Sequence, residues 1–406
     1  MSRAVVFRLF WENNVFVRMS YFWNLDLQEA MRKSLLFAVL ALMALQGFSN
    51  IDSLENVLKS AKGDQKVKTL NELFRGYINS DPVKAIGFAR EALSLASEIN
   101  DMKGMAASYN NLGVAYRNQG ALDKALEYYL ISLRIYDDQK NADGVATTKN
   151  NIGTIYSLKK DYGQAMKYFE ESYQQFTKLN NKQKIIGSLN NLGNLHSDLQ
   201  LYEQALKYYS QAWQMSEQTN KVNSDPLNNI GNLYFHQGNY PRAIDYYNRA
   251  MRLARKENNQ NMVLNIMANL GEVHARAGMN AKAQYYFDSA MVLCKDLQAY
   301  IFEPTILRNM ATNYSKQGKM KDAYDMMVNY DKAKERIYGE ESSRKIAQME
   351  IAIDLQAKEK EVDALKKEDT IKSLELHNTR MVITIIVLSA IVALSLFNLF
   401  WMRRKN

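Results

Sequence analysis

The sequence predicts an all-α solenoid of helical hairpins, followed by a long helix and one transmembrane helix. Three observations carry that expectation. First, the pattern Asn-Leu-Gly-x-x-Tyr, or a close variant, recurs with its glycine at Gly113, Gly153, Gly193, Gly231 and Gly271 and with Ala311 in the same slot. The steps are 40, 40, 38, 40 and 40 residues, a period typical of arrays in which each unit stacks only on its neighbours. Second, only four prolines occur in 406 residues, so little interrupts helices. Third, Met381–Trp401 is a stretch of 21 residues without a charge.

Within one repeat the spacing explains the hairpin. Tyr109, Leu112, Gly113 and Tyr116 stand at i, i+3, i+4 and i+7, one face of a helix. Gly120 and Asp123 mark a turn, and Ala125, Tyr129 and Ser132 line a second helix. The small Ala125 lets the two helices approach, and Tyr129 fills the space beside it. The same places are held by Ile152, Gly153, Tyr156, Ala165 and Phe169, then by Leu192, Gly193, Ala205 and Tyr209. Ile230, Gly231, Tyr234, Ala243 and Tyr247 follow, then Leu270, Gly271, Ala283 and Phe287, and last Met310, Ala311, Tyr314 and Ala323. A divergent repeat precedes these, with a helix around Leu70–Tyr77 and a second opened by Ser80-Asp81-Pro82.

These residues resemble the tetratricopeptide repeat (TPR) family, whose pattern places Leu-Gly three residues before a Tyr, an Ala thirteen after the Leu and an aromatic four later. The family period is 34, whereas here it is 40 with the Leu-to-Ala spacing unchanged. The extra six residues therefore lengthen the helices on the far side of the hairpin. The expected array spans 50–335, with about seven hairpins in a right-handed superhelix.

The resemblance implies that the first helix of each hairpin lines a concave groove. The residue before the Leu of Leu-Gly would face it: Asn111, Asn151, Asn191, Asn229, Asn269 and Asn309, asparagine in all six repeats. Asn110, Asn150, Asn190 and Asn228 precede four of these, and Asn194 and Asn232 lie three residues further on. An amide donates and accepts, so a row of amides can pair with the backbone of an extended peptide. The other reading is that these side chains bond locally and only hold the superhelix. Charge along the groove is mixed, and Arg308 is a candidate for a ligand carboxylate.

The ends suggest placement. Met31-Arg32-Lys33-Ser34, the apolar run Leu35–Leu45 and Gly47-Phe48-Ser49 form the three layers of a secretory signal peptide over 31–49. Residues 1–30 would be an upstream extension, with Met1 or Met31 as the start. An uncleaved anchor is the alternative. Met381–Trp401 would span about 31 Å as a helix, the thickness of a bilayer core. Arg403-Arg404-Lys405 follow, so the positive-inside rule puts residues 402–406 in the cytoplasm and the repeats in the periplasm, anchored in the inner membrane.

Between array and span, 336–380 carries nine Lys/Arg against ten Asp/Glu and a broken heptad. It reads as a helical stalk or weak coiled coil, and the small pair Ser389 and Ala393 would allow close helix contact in a homodimer, while the broken heptad leaves the oligomeric state open. This order of segments resembles the input halves of TPR-type sensor histidine kinases and helix-turn-helix regulators of Bacteroidetes-type bacteria. In those an output domain follows the span. Two functions stay open: a membrane-anchored periplasmic adaptor or sensor for a peptide or protein segment, and the truncated or split input half of such a regulator.

Several classes are disfavoured. The net charge of +9 comes from no Lys/Arg-rich block, and no zinc or RNA-binding signature occurs, so nucleic acid is not an expected partner. No HExxH, phosphate loop or GxSxG motif occurs. No catalytic residue, metal site or cofactor is expected. His196 and His274 fall in the slot of the repeat tyrosines and read as packing residues. The lone Cys294 reads as buried.

Overall fold

The computed structural model describes residues 51–219 and 222–405. The signal-peptide reading over 31–49 lies outside them. Every regular element among the described residues is a helix. The chain divides into two units at Ser343/Arg344.

A helical segment over 51–60 leads into seven hairpins. They pair α1 (Gly63–Tyr77) with α2 (Pro82–Glu98), α3 (Met102–Asn118) with α4 (Leu122–Asp138), and α5 (Ala142–Leu158) with α6 (Tyr162–Lys178). Next come α7 (Lys182–Asp198) with α8 (Tyr202–Glu217), and α9 (Asp225–His236) with α10 (Tyr240–Lys256). Last are α11 (Gln260–Arg276) with α12 (Asn280–Asp296), and α13 (Glu303–Lys316) with α14 (Met320–Tyr338). Each first helix packs on the first helix of the next hairpin. The second helices make no comparable contact among the described residues. The first helices are thus the inner layer of the array.

Most helices are 17 residues long and are joined by three-residue turns. Each helix end needs its last carbonyls satisfied by a chain that reverses, and one residue in the left-handed region does this. Gly120 (φ 78°) and Gly278 (φ 76°) supply it without steric cost. Lys140, Lys160 and Gln200 adopt the same conformation at φ 52°, 61° and 59°. At some turns a side chain also caps the following helix: Asp101 accepts from the Gly104 N–H at 2.8 Å, and Asn141 from the Gly144 N–H at 3.0 Å, whereas the helices after Gly120, Gln200 and Gly278 have no side-chain cap.

The core repeats with the chain. Tyr129, Phe169, Tyr209, Tyr247 and Phe287 are buried, each opposite the glycine of its own hairpin's first helix. A methyl group on Gly153 would sit 2.7 Å from the Phe169 ring, and one on Gly231 2.6 Å from Tyr247. The glycine is therefore required by contact, not by backbone angle. Burying such a ring contributes roughly 1.5–3 kcal/mol. Beside it lies an aromatic pair: Tyr116 on Tyr128, Tyr156 on Tyr168, and Tyr234 on Tyr246, with centroids 5.3 to 5.6 Å apart. His196 on Tyr208 and His274 on Tyr286 fill the same place, 4.9 and 5.4 Å apart. Both histidines thus stand where the sequence put them, in the tyrosine slot. Cys294 is buried and donates to the Ala299 carbonyl, and burial pushes its thiol up to about 11.

The last helix, α15 (Glu340–Lys405), is 66 residues long. It carries the one described helix long and apolar enough to cross a membrane, within Leu365–Leu396 at a mean hydropathy of 2.2.

Candidate functional site

The asparagines of the inner helices form rungs between hairpins. Asn111 donates its amide Nδ2 to Asn71 Oδ1 at 2.7 Å. Asn151 donates to Asn110 at 2.8 Å, Asn191 to Asn150 at 2.9 Å, and Asn269 to Asn228 at 3.0 Å. The donor always belongs to the later hairpin. The geometry therefore realises the local reading for these four: each amide is held by the hairpin before it. An isolated amide inside the array would be costly, and a bonded one contributes about 0.5–1.5 kcal/mol.

Asn194 and Asn232 are engaged differently. Their Oδ1 atoms accept the hydroxyls of Tyr209 and Tyr247, each at 2.8 Å. Burial raises both tyrosines well above the usual phenol range. Tyr129 has Val114 at the equivalent place, and its buried hydroxyl finds no partner. Where the core ring is Phe169 or Phe287, the place holds Thr154 or Glu272.

Two rungs are missing. By the same offset Asn309 would need an acceptor at position 268, which is Ala268. Asn229 would bond Asn190, yet Asn229 makes no side-chain bond among the described residues, and Asn190 Oδ1 is buried without a partner. This open rung falls at the 38-residue step. The helix it should reach, α9, has only 12 residues where α7 has 17. The helix begins only at Asp225, whose N–H donates to Asn223 Oδ1 at 2.8 Å, with Pro226 in its first turn, so the turn that would precede it is absent from the inner layer.

A recess of about 380 Å³ lies there. Asn190, Asn191, Asn194, Asn228, Asn229 and Ser188 line it, with Lys184 and Asp225 among the rest. Three of the predicted residues, Asn191, Asn194 and Asn229, are thus brought together. Asn111, Asn151, Asn232, Asn269, Asn309 and the exposed Arg308 lie outside it. The Ser188 hydroxyl is also buried and unpartnered. Burial raises the Asp225 carboxyl, opposed by its hydrogen bond with Asn223. Ser188, Lys184 and Asp225 were not singled out from sequence. Ser188 shares the phase of Ser108 and Thr148, which was a usable signal.

A second recess, about 460 Å³, lies between the last two hairpins among Met291, Met310 and Met326. Its Arg336 is paired with Glu303. No group of three or more His, Cys, Asp or Glu is placed to hold a metal among the described residues.

Tetratricopeptide-repeat profiles match residues 104–178, 185–225 and 223–296. This is a tetratricopeptide-repeat solenoid. No curated protein sequence matches the chain. Among solved structures, the TPR fold is shared with the Rap conjugation gene regulator of the plasmid pLS20 in complex with the Phr* peptide, at a TM-score of 0.52 and 16% identity over 67% of this chain and 74% of that one. BtubC from P. vanneervenii is 23% identical over 54% of this chain and 92% of its own, with a TM-score of 0.42. NprR in complex with its cognate peptide NprX is 17% identical over 75% and 92%, with a TM-score of 0.48.

Proposed function

We propose that this TPR array is a peptide- or protein-binding module held at a membrane by α15, acting as an adaptor or sensor. The observation that carries the reading is the amide row on the inner helices together with the recess into which part of it opens. An extended segment laid along the first helices would meet, where the row opens into the recess, amide donors and acceptors that its backbone can pair with. The fold it shares with the pLS20 regulator, a protein solved with a peptide bound, agrees with this use.

Anchoring rests on the apolar window of α15 and on Arg403-Arg404-Lys405 beyond it. By the positive-inside rule that end is cytoplasmic, and the array is then periplasmic. The stalk and span would bring two copies together.

The test uses the full chain in detergent and a display library of random decapeptides. Selected peptides should bind the native chain and lose binding to the Asn191→Ala/Asn229→Ala variant while its helicity by circular dichroism is unchanged. Unchanged binding to that variant, or no selectable peptide, sinks the groove reading.

A further inference from the structure

The open rung differs from the surface around it in one respect: it buries polar atoms that nothing satisfies. Asn190 is 6% exposed and Ser188 1% exposed. Asn190 Oδ1 and Ser188 Oγ both lack partners, and both residues line the recess. In the neighbouring hairpins the corresponding acceptors, Asn110 and Asn150, are taken by the next hairpin's asparagine. An unsatisfied buried acceptor is normally rare because its desolvation is uncompensated. Here two coincide in one recess, at the only step of 38 residues, opposite a helix that has lost its first turn.

We infer that the open rung between α7 and α9 is the anchor point for one peptide unit of the ligand, whose N–H takes the place of the missing asparagine donor on Asn190 Oδ1. The inference rests on the groove reading and fixes its register. The same unit's carbonyl oxygen meets the donors of the recess: the amide of Asn229, which is not committed to another side chain, and the Ser188 hydroxyl. The one lysine and one aspartate of the lining, Lys184 and Asp225, are of opposite sign and favour neither an anion nor a cation. Lys184 is itself turned to Thr147 Oγ1 at 3.3 Å. A neutral amide fits this balance better than a charged head group. The volume of about 380 Å³ suits a short segment, being near the lower end of the roughly 300–1,000 Å³ typical of ligand clefts. The closed rungs then act as a rigid frame on either side.

Gly187 supplies a clean block. It lies mid-helix in α7 on the recess lining, and a Cβ there would meet nothing within 4 Å. Gly187→Leu therefore places an apolar side chain at the recess lining from a position with room for its Cβ, and replacing a mid-helix glycine favours the helix.

The experiment takes library-selected decapeptides and the full chain in detergent. Each peptide is remade with single N-methyl groups at successive amides. One N-methylated position should weaken binding by about tenfold or more, as expected for a lost hydrogen bond to a buried acceptor. That position's penalty should vanish in Asn190→Ala, and Gly187→Leu should abolish binding with helicity intact. If peptides bind but Asn190→Ala and Gly187→Leu leave affinity unchanged, while Asn191→Ala/Asn229→Ala weakens it, the groove reading survives and the anchor is wrong. Water would then be the only occupant of the rung. If no peptide binds the native chain, both fall.

Discussion

The rung between α5 and α7 and the one between α7 and α9 are built from the same residue types at the same phase. At the first, Asn150 and Asn191 meet at 2.9 Å. At the second, Asn190 and Asn229 do not bond, and Asn190 Oδ1 is left buried and alone. The difference comes from two missing residues in the step and a helix that starts late. A closed rung spends its amides on the array itself. The capacity to bind something else is therefore concentrated where the periodicity fails, not spread along the row.

The comparison can be broken at several depths. The largest effect tests what the two regions share. Phe169→Ala and Tyr247→Ala remove the buried ring beside each, and both should cost about 3–5 kcal/mol in denaturant unfolding. A large loss in one and a small loss in the other would mean that the regions differ in packing and not only in polar bonds.

The next effect separates them. Asn150→Ala leaves the Asn191 amide without its acceptor and should cost roughly 1–3 kcal/mol. Asn190→Leu removes an acceptor that has no partner and should be neutral or stabilising in the same assay. Equal losses would show that Asn190 is bonded in solution and the rung is closed.

A pH effect distinguishes the aromatic slots. His274 is buried against Tyr286 with Nδ1 unpartnered. Burial, aided by Lys282, lowers its pKa below 6.5. The unfolded chain therefore binds the proton more readily, so this contribution is present above about pH 6.5 and is lost as pH falls towards the folded pKa. His274→Phe should flatten that acid limb of the stability profile, and a Tm series from pH 8 to 5 reads it. An unchanged slope would assign the limb to other groups.

The smallest effect lies in the turns. Lys140 and Lys160 hold a conformation that Gly120 takes freely. Lys140→Gly or Lys160→Gly should raise stability by up to about 1 kcal/mol. A loss instead would show that the lysine side chains stabilise these turns by more than the strain.

Much of this was legible in the chain. Gly153 and Phe169 were both legible as repeat positions by their spacing, but the spacing pointed to the small alanine as the place of close approach, and the contact of glycine with ring emerged only from the packing. The asparagine row was legible as a row. Which asparagine bonds which was not, because Asn151 reaches Asn110 in the hairpin before it, and that offset depends on the rise and twist of the stack. The turn conformations of Lys140 and Gln200 were hidden for a similar reason: no residue type marks them, and the helix length imposes them. The 38-residue step was visible as a number. Its result, a late-starting α9 and two orphaned polar atoms, needed coordinates.

Left-handed residues end the helices at Asn100, Gly120, Lys140, Lys160, Asn180 and Gln200, one every 20 residues. Removal of residues 121–160 would join Gly120 to Asp161, a helix end to an equivalent helix start. The same splice copies as readily as it deletes. Length in this protein is thus quantised, and a gene for it can grow or shrink by whole 40-residue words while every junction stays grammatical.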